Sequence, residues 1–98
     1  MKKVLFISGK ITGDENYKEK FRMAQRFYEA LGYTVLNPAI LPAGMSAEQY
    51  SRICLAMLGS ADVVAMLPDW RASLGASAEW STALFSGKEI IYMKGTEE

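Results

Sequence analysis

Residues 62–84, DVVAMLPDWRASLGASAEWSTAL, decide the fold of this chain. The run DVVAML is short, apolar and partly β-branched, and Pro68 stops it, so residues 62–67 read as a buried strand. The loop PDWRASLG (68–75) follows, and from residue 73 the small-residue run reads as a helix that Gly87 ends. Inside that helix stands one carboxylate, Glu79, with Gly75, Ala76, Thr82 and Ala83 three and four positions away. None of these is a cation that could pair with it, and none is bulky. Two readings stay open. Glu79 complements the positive end of the helix dipole while its small neighbours pack closely on a sheet, or it faces a crevice kept clear for a ligand.

The same alternation continues outward. Residues 3–8, KVLFIS, form a β-branched and aromatic strand ending at Gly9. Residues 16–31 place Tyr17, Phe21, Ala24, Tyr28 and Leu31 on one helical face, with Lys18, Lys20, Arg22 and Glu29 off it, and Gly32 supplies the stop. Residues 33–37, YTVLN, are a second strand closed by Pro38. PAILPAGM is an irregular linker. Ser46 with Gln49 makes a capping box for a helix over 46–60. Residues 88–93, KEIIYM, are a fourth strand, and KGTEE is a solvated tail. Strands alternating with helices imply right-handed crossovers and a parallel sheet. The expected fold is α/β: a small doubly wound, four-stranded parallel sheet of order 2-1-3-4 with three helices, one domain over residues 1–98. The first helix then lies alone on one face. It is too small to cover that face, so the exposed side of strands 3 and 4 is expected to be buried by another copy, in a homo-oligomer of two or more chains.

Composition narrows the chemistry. Lys+Arg and Asp+Glu both number 11, so no global charge draws the chain to a nucleic-acid polymer or a membrane surface. The first residues, MKKVLFISGK, have too short an apolar core for a signal sequence, and no segment approaches the roughly 20 apolar residues of a membrane span. The single cysteine, Cys54, excludes an internal disulfide and fits a reducing, cytoplasmic setting. Histidine is absent, which removes Ser-His triads and histidine metal sites. No metal site is visible, and acid-base or nucleophilic work falls to Asp, Glu, Lys, Tyr, Cys or a hydroxyl.

In open α/β sheets a ligand crevice forms at the carboxyl ends of the strands where their order reverses, here between strands 1 and 3. The loops SGKITGD (8–14) and PDWRASLG (68–75) leave those ends, and the third helix starts there. Glu79 should therefore face the crevice, and the helix start favours an anion such as phosphate. Lys10 reads as a phosphate contact or a solvated turn residue, because SGKITG matches neither the P-loop nor the dinucleotide spacing. Trp70 reads as a stacking platform for a base or as an interface residue, and Asp69 as a crevice or turn residue. Cys54 reads as an inert core thiol, and Asp62 as structural.

Three motifs together resemble the nucleoside 2-deoxyribosyltransferase-like superfamily, most of all its 2′-deoxynucleoside 5′-monophosphate N-glycosidase branch and that branch's short bacterial and phage relatives. They are F-I-S-G-K-I-T-G (Phe6 to Gly13), A-D-V-V (Ala61 to Val64) and P-x-W-x-x-S-x-G-A-x-x-E (Pro68 to Glu79), followed by Ala83. The resemblance implies that Glu79 attacks C1′ of the sugar, the base leaves, and the glycosyl-enzyme ester is resolved by water or a second base. It implies no cofactor. It also implies that Ser8, Gly9, Lys10, Ile11, Thr12 and Gly13, with Asp69, Trp70, Ser73 and Gly75, bind a nucleoside or nucleotide, the loop and helix end holding a 5′-phosphate. Two positions depart from the family pattern. Phe6 stands where the family often has a Tyr that orients the nucleophile, and Cys54 where it has an Asp that helps position the substrate or leaving group. Tyr17, Asp14 or Asp69, or a neighbouring subunit, are the groups left to compensate.

The expected function is thus N-glycosidic bond hydrolysis or 2-deoxyribosyl transfer on Glu79. The alternative is a weakly active or inactive nucleotide-binding domain of the same fold, favoured by Phe6 and Cys54. A receiver domain ranks low, because it needs clustered acids after strand 1 and this chain has Ser8-Gly9-Lys10 there. A flavin carrier would be yellow on purification.

Overall fold

A computed structural model of the chain describes residues 2–94. The strands β1 (Val4–Ser8), β2 (Thr34–Leu36), β3 (Val63–Met66) and β4 (Glu89–Tyr92) form one parallel sheet of order β2-β1-β3-β4. Three helices connect them: α1 (Tyr17–Ala30), α2 (Ala47–Ser60) and α3 (Leu74–Phe85). This is the expected α/β fold, with every strand and helix where the hydrophobic pattern puts it. Short 3₁₀ turns at Pro38–Ile40 and Trp70–Ala72 interrupt segments that read as plain loop. The part of the tail KGTEE beyond Lys94 lies outside the described residues.

Strand alternation divides the core into two layers. Leu5, Ile7, Val63, Ala65 and Leu67 face α1, where Phe21, Ala24 and Tyr28 meet them. Phe6, Val64 and Met66 face α2 and α3, against Cys54, Leu58, Ala76 and Ala83. Because both faces of β1 and β3 are covered, these strands are continuous apolar runs rather than alternating ones. Ala76 and Ala83, seven residues apart, explain the small-residue face of α3: it lies directly on the sheet. Capping matches the local signals. Ser46 and Gln49 bond reciprocally at the start of α2, and Gly32 and Gly87 take positive φ after α1 and α3. Asp62 is structural, its Oδ2 accepting the Val4 N–H at 2.9 Å.

One expectation about coverage needs correcting. Val63 and Ala65 are fully buried and Leu67 is 2% exposed within a single chain, so α1 does cover β3. Phe21 fills the space over the sheet, the turn after β2 adds Ala39, and Ile91 and Met93 of the β4 segment pack half-buried against the same cluster. Leu31, placed on the buried face of α1 by its spacing, ends up 61% exposed because it caps the helix. The apolar surplus lies on helix exteriors: Met23 and Phe27 on α1, and Leu74 and Phe85 on α3, the last two more than nine-tenths exposed. Among the described residues no helix is long and apolar enough to cross a membrane.

Candidate functional site

The register of the sheet builds the site. Ser8 pairs with Met66, so β1 and β3 end level and their following loops start side by side. Alternation along β1 turns Ser8 onto the α2–α3 face, where it is 1% exposed. Its hydroxyl donates to Oε1 of Glu79 in the second turn of α3, at 2.6 Å. A cleft of about 850 Å³ opens beside this pair, between α2, α3 and the loop after β1. That is the size of a small-molecule site.

Two helical stripes wall the cleft. From α3 come Gly75, Ala78, Glu79 and Thr82, and from α2 come Ala47, Tyr50, Ser51, Cys54 and Leu55. The loop after β1 adds Gly9, Ile11 and Thr12, with Tyr17 at the start of α1. Ser73 caps α3 by accepting the Ala76 N–H at 3.1 Å, and it also lines the cleft. The N–H groups of Leu74 and Gly75 in that first turn have no partner among the described residues, and they present the positive helix end to the cleft.

Glu79 is the only carboxylate among the cleft-lining residues, and it forms no ion pair among the described residues. Burial lifts its carboxyl from 4.5 to about 7, while the Ser8 hydrogen bond works in the opposite sense. Burial, then the charge of Glu79, pushes the Cys54 thiol up to about 11, so it stays protonated at neutral pH. Phe6 is fully buried beside Cys54 in the core under the site. Neither position supplies an acid or an orienting hydroxyl.

The remaining residues singled out by the sequence divide cleanly. Ser8, Gly9, Ile11, Thr12, Ser73, Gly75 and Glu79 converge on the cleft or its wall. Lys10, Gly13, Asp69 and Trp70 do not line it. Asp69 accepts the Lys10 N–H at 3.1 Å and pairs with Lys20, whose ammonium also reaches the Lys10 carbonyl at 2.8 Å and Asp14 at 2.5 Å. This cluster latches the loop after β1 to the loop after β3. Gly13 takes φ +85 in the turn that closes the first loop. Trp70 is 7% exposed, stacks on Trp80 with ring centres 5.1 Å apart, and carries the Arg71 guanidinium on its ring. Asp14 and Asp69 are therefore committed to Lys20, which leaves Tyr17 as the compensating group that does reach the cleft.

Sequence reasoning missed Lys20 and the α2 wall. The wall had a signal: Ala47, Tyr50, Ser51, Cys54 and Leu55 fall at helical spacing, and the hydroxyls in that stripe are out of place for a core face. No group of three or more His, Cys, Asp and Glu among the described residues is arranged to hold a metal ion.

No curated protein and no solved structure matches the chain. One family, DUF4406, described as a domain of unknown function, matches residues 3–92, nearly all of the sequence. The chain therefore belongs to the DUF4406 family.

Proposed function

We propose that this domain cleaves, or transfers across, the N-glycosidic bond of a nucleoside or nucleotide, with Glu79 as the nucleophile. The observation that carries this reading is a desolvated carboxylate with no cationic partner among the described residues, lining a cleft of small-molecule size where the strand order reverses. In the first step a Glu79 oxygen bonds to C1′, the C1′–N bond breaks, and its electron pair leaves with the base, which takes a proton from water. In the second, water or another base attacks C1′, the ester C1′–O bond breaks, its electron pair returns to Glu79 as carboxylate, and the proton that the attacking group sheds neutralises the hydroxide left by the first step. The free N–H groups at the start of α3, with the Ser73 and Thr12 hydroxyls, suit a 5′-phosphate or a sugar hydroxyl. The reaction needs no cofactor. A homo-oligomer suits the exposed Leu74 and Phe85, and a cytoplasmic setting suits the free thiol of Cys54.

The test is incubation of wild type and Glu79→Ala with a panel of deoxynucleosides, ribonucleosides and their 5′-monophosphates, following free base by chromatography. Base release by wild type alone is the expected result. No release from either across the panel would overturn it.

One observation favours a second reading, a nucleotide-binding domain without turnover. Phe6 and Cys54 stand where the resembled superfamily has its supporting groups, and among the described residues the only ionisable groups lining the cleft besides Glu79 are Tyr17, Tyr50 and the neutral Cys54. A departing base has no carboxylic acid beside it. Saturable ligand binding with no base release would select this reading.

A further inference from the structure

We propose that Ser8 is the positioning residue of the site: its hydroxyl ties down Oε1 of Glu79, so that Oε2 is the atom presented to the anomeric carbon. The inference rests on the glycosyl-transfer reading above. Three observations carry it. Ser8 is 1% exposed, and its hydroxyl donates one bond, to Oε1 of Glu79 at 2.6 Å, the length of a charge-assisted O–H···O⁻ contact. Oε2 accepts no bond among the described residues, yet no buried side-chain oxygen or nitrogen there lacks a partner, so Oε2 must be open to the cleft that Glu79 lines. Val4 and Phe6, the other residues of β1 that turn to the α2–α3 face, have no hydroxyl. Ser8, at the last position of β1, therefore carries the strand's single hydroxyl, and it does so on the face turned to α3.

The backbone makes Ser8 a firm anchor. Its carbonyl accepts the Leu67 N–H at 2.8 Å, which fixes the end of β1 to β3 independently of the side chain. Removing the hydroxyl therefore leaves the strand in place and frees the carboxylate to rotate. A free carboxylate loses its attack geometry and also the one donor that favours its ionised form.

The experiment compares wild type, Ser8→Ala and Ser8→Thr in two readouts. The first is the side-chain carboxyl ¹³C titration of Glu79 by NMR. The second is the pH profile of base release on the substrate that the panel identifies. Ser8→Ala is expected to move the Glu79 titration to higher pH and to lower kcat by roughly 10- to 100-fold with little change in KM. The deficit should narrow at high pH without closing, and Ser8→Thr should recover part of both effects. A folded Ser8→Ala whose Glu79 titrates as in wild type would overturn the proposal. A moved titration with no base release from any of the three would support the Ser8 contact and overturn the glycosyl-transfer reading instead.

Discussion

Gly9 and Leu67 meet so closely that no side chain fits between them: a Cβ on Gly9 would lie 2.7 Å from Cδ1 and 2.9 Å from Cβ of Leu67. The contact sits where β1 and β3 both end, one residue past Ser8, and the Leu67 N–H to Ser8 carbonyl bond holds the two loops at this separation. Gly9→Ala must push the loops apart. We expect a loss of about 1–3 kcal/mol in urea unfolding, with a larger proportional loss of base release because Ser8 shifts against Glu79. Unchanged stability would mean that Leu67 swings aside freely.

Gly75 presents the opposite case. A Cβ there would meet nothing nearer than the Ser73 Oγ at 3.9 Å, and its φ is not positive, so neither packing nor backbone requires glycine. Gly75→Ala should raise stability by roughly 0.5 kcal/mol through helix propensity. The added methyl group lies over the first turn of α3, in the cleft, and should weaken nucleotide binding. Paired melting and binding titrations check both signs.

Glu79 should make the fold less stable as pH rises. Its folded-state carboxyl sits near 7 and its unfolded value near 4.5. Between those values the folded chain keeps a proton that the unfolded chain has released. The contribution is therefore full below about 4.5, declines through this window and is gone above about 7. Glu79→Gln keeps an oxygen for the Ser8 hydroxyl and cannot ionise. Relative to wild type it should gain roughly 3 kcal/mol between the ends of the window, while base release is abolished. Stability curves that run parallel from pH 4 to 8 would show that this carboxyl is not desolvated.

The nucleophilic role proposed for Glu79 carries a matching kinetic signature. Attack needs the ionised form, so kcat/KM should climb to a plateau above about pH 7. A flat profile between pH 5 and 8 would contradict the assignment of Glu79.

Lys20 should control acid stability at the other end of the cleft loops. Its hydrogen bond holds the Asp14 carboxyl below the ordinary 3.8, with the Asn16 N–H contributing next. That support is present above about 3.8 and is lost as pH falls through the lowered value. Lys20→Met removes the shared cation from Asp14 and Asp69. The variant should melt lower at neutral pH and should lose less than wild type on acidification, which thermal melts from pH 2 to 7 would show.

The sheet was legible because β1 and β3 are covered on both faces, which makes KVLFIS and DVVAML unbroken apolar runs between glycine and proline signals. The start of α2 was legible because a capping box is a local device. Glu79 stood out because nothing at helical spacing could pair with it. The latch was hidden: Lys20 and Asp69 are 49 residues apart, and only the level ends of β1 and β3 bring them together. Trp70 reads as a base-stacking platform or an interface residue until the 3₁₀ turn packs it within the chain, onto Trp80. Coverage by α1 was underestimated because periodicity counts residues, whereas the large ring of Phe21 fills the space over two strands.

Trp70 and Trp80 are the chain's two tryptophans, and they lie face to face, 28° from parallel, with the Trp80 indole N–H donating to the Tyr92 hydroxyl at 2.8 Å. Neither lines the cleft. All indole emission from this protein therefore comes from one stacked pair that ties α3 to β4. It is an optical gauge of whether that corner is assembled, and it is poorly placed to sense an occupied cleft. Ligand titrations should be read instead through the cleft tyrosines, Tyr17 and Tyr50, or through a chromophore carried by the ligand.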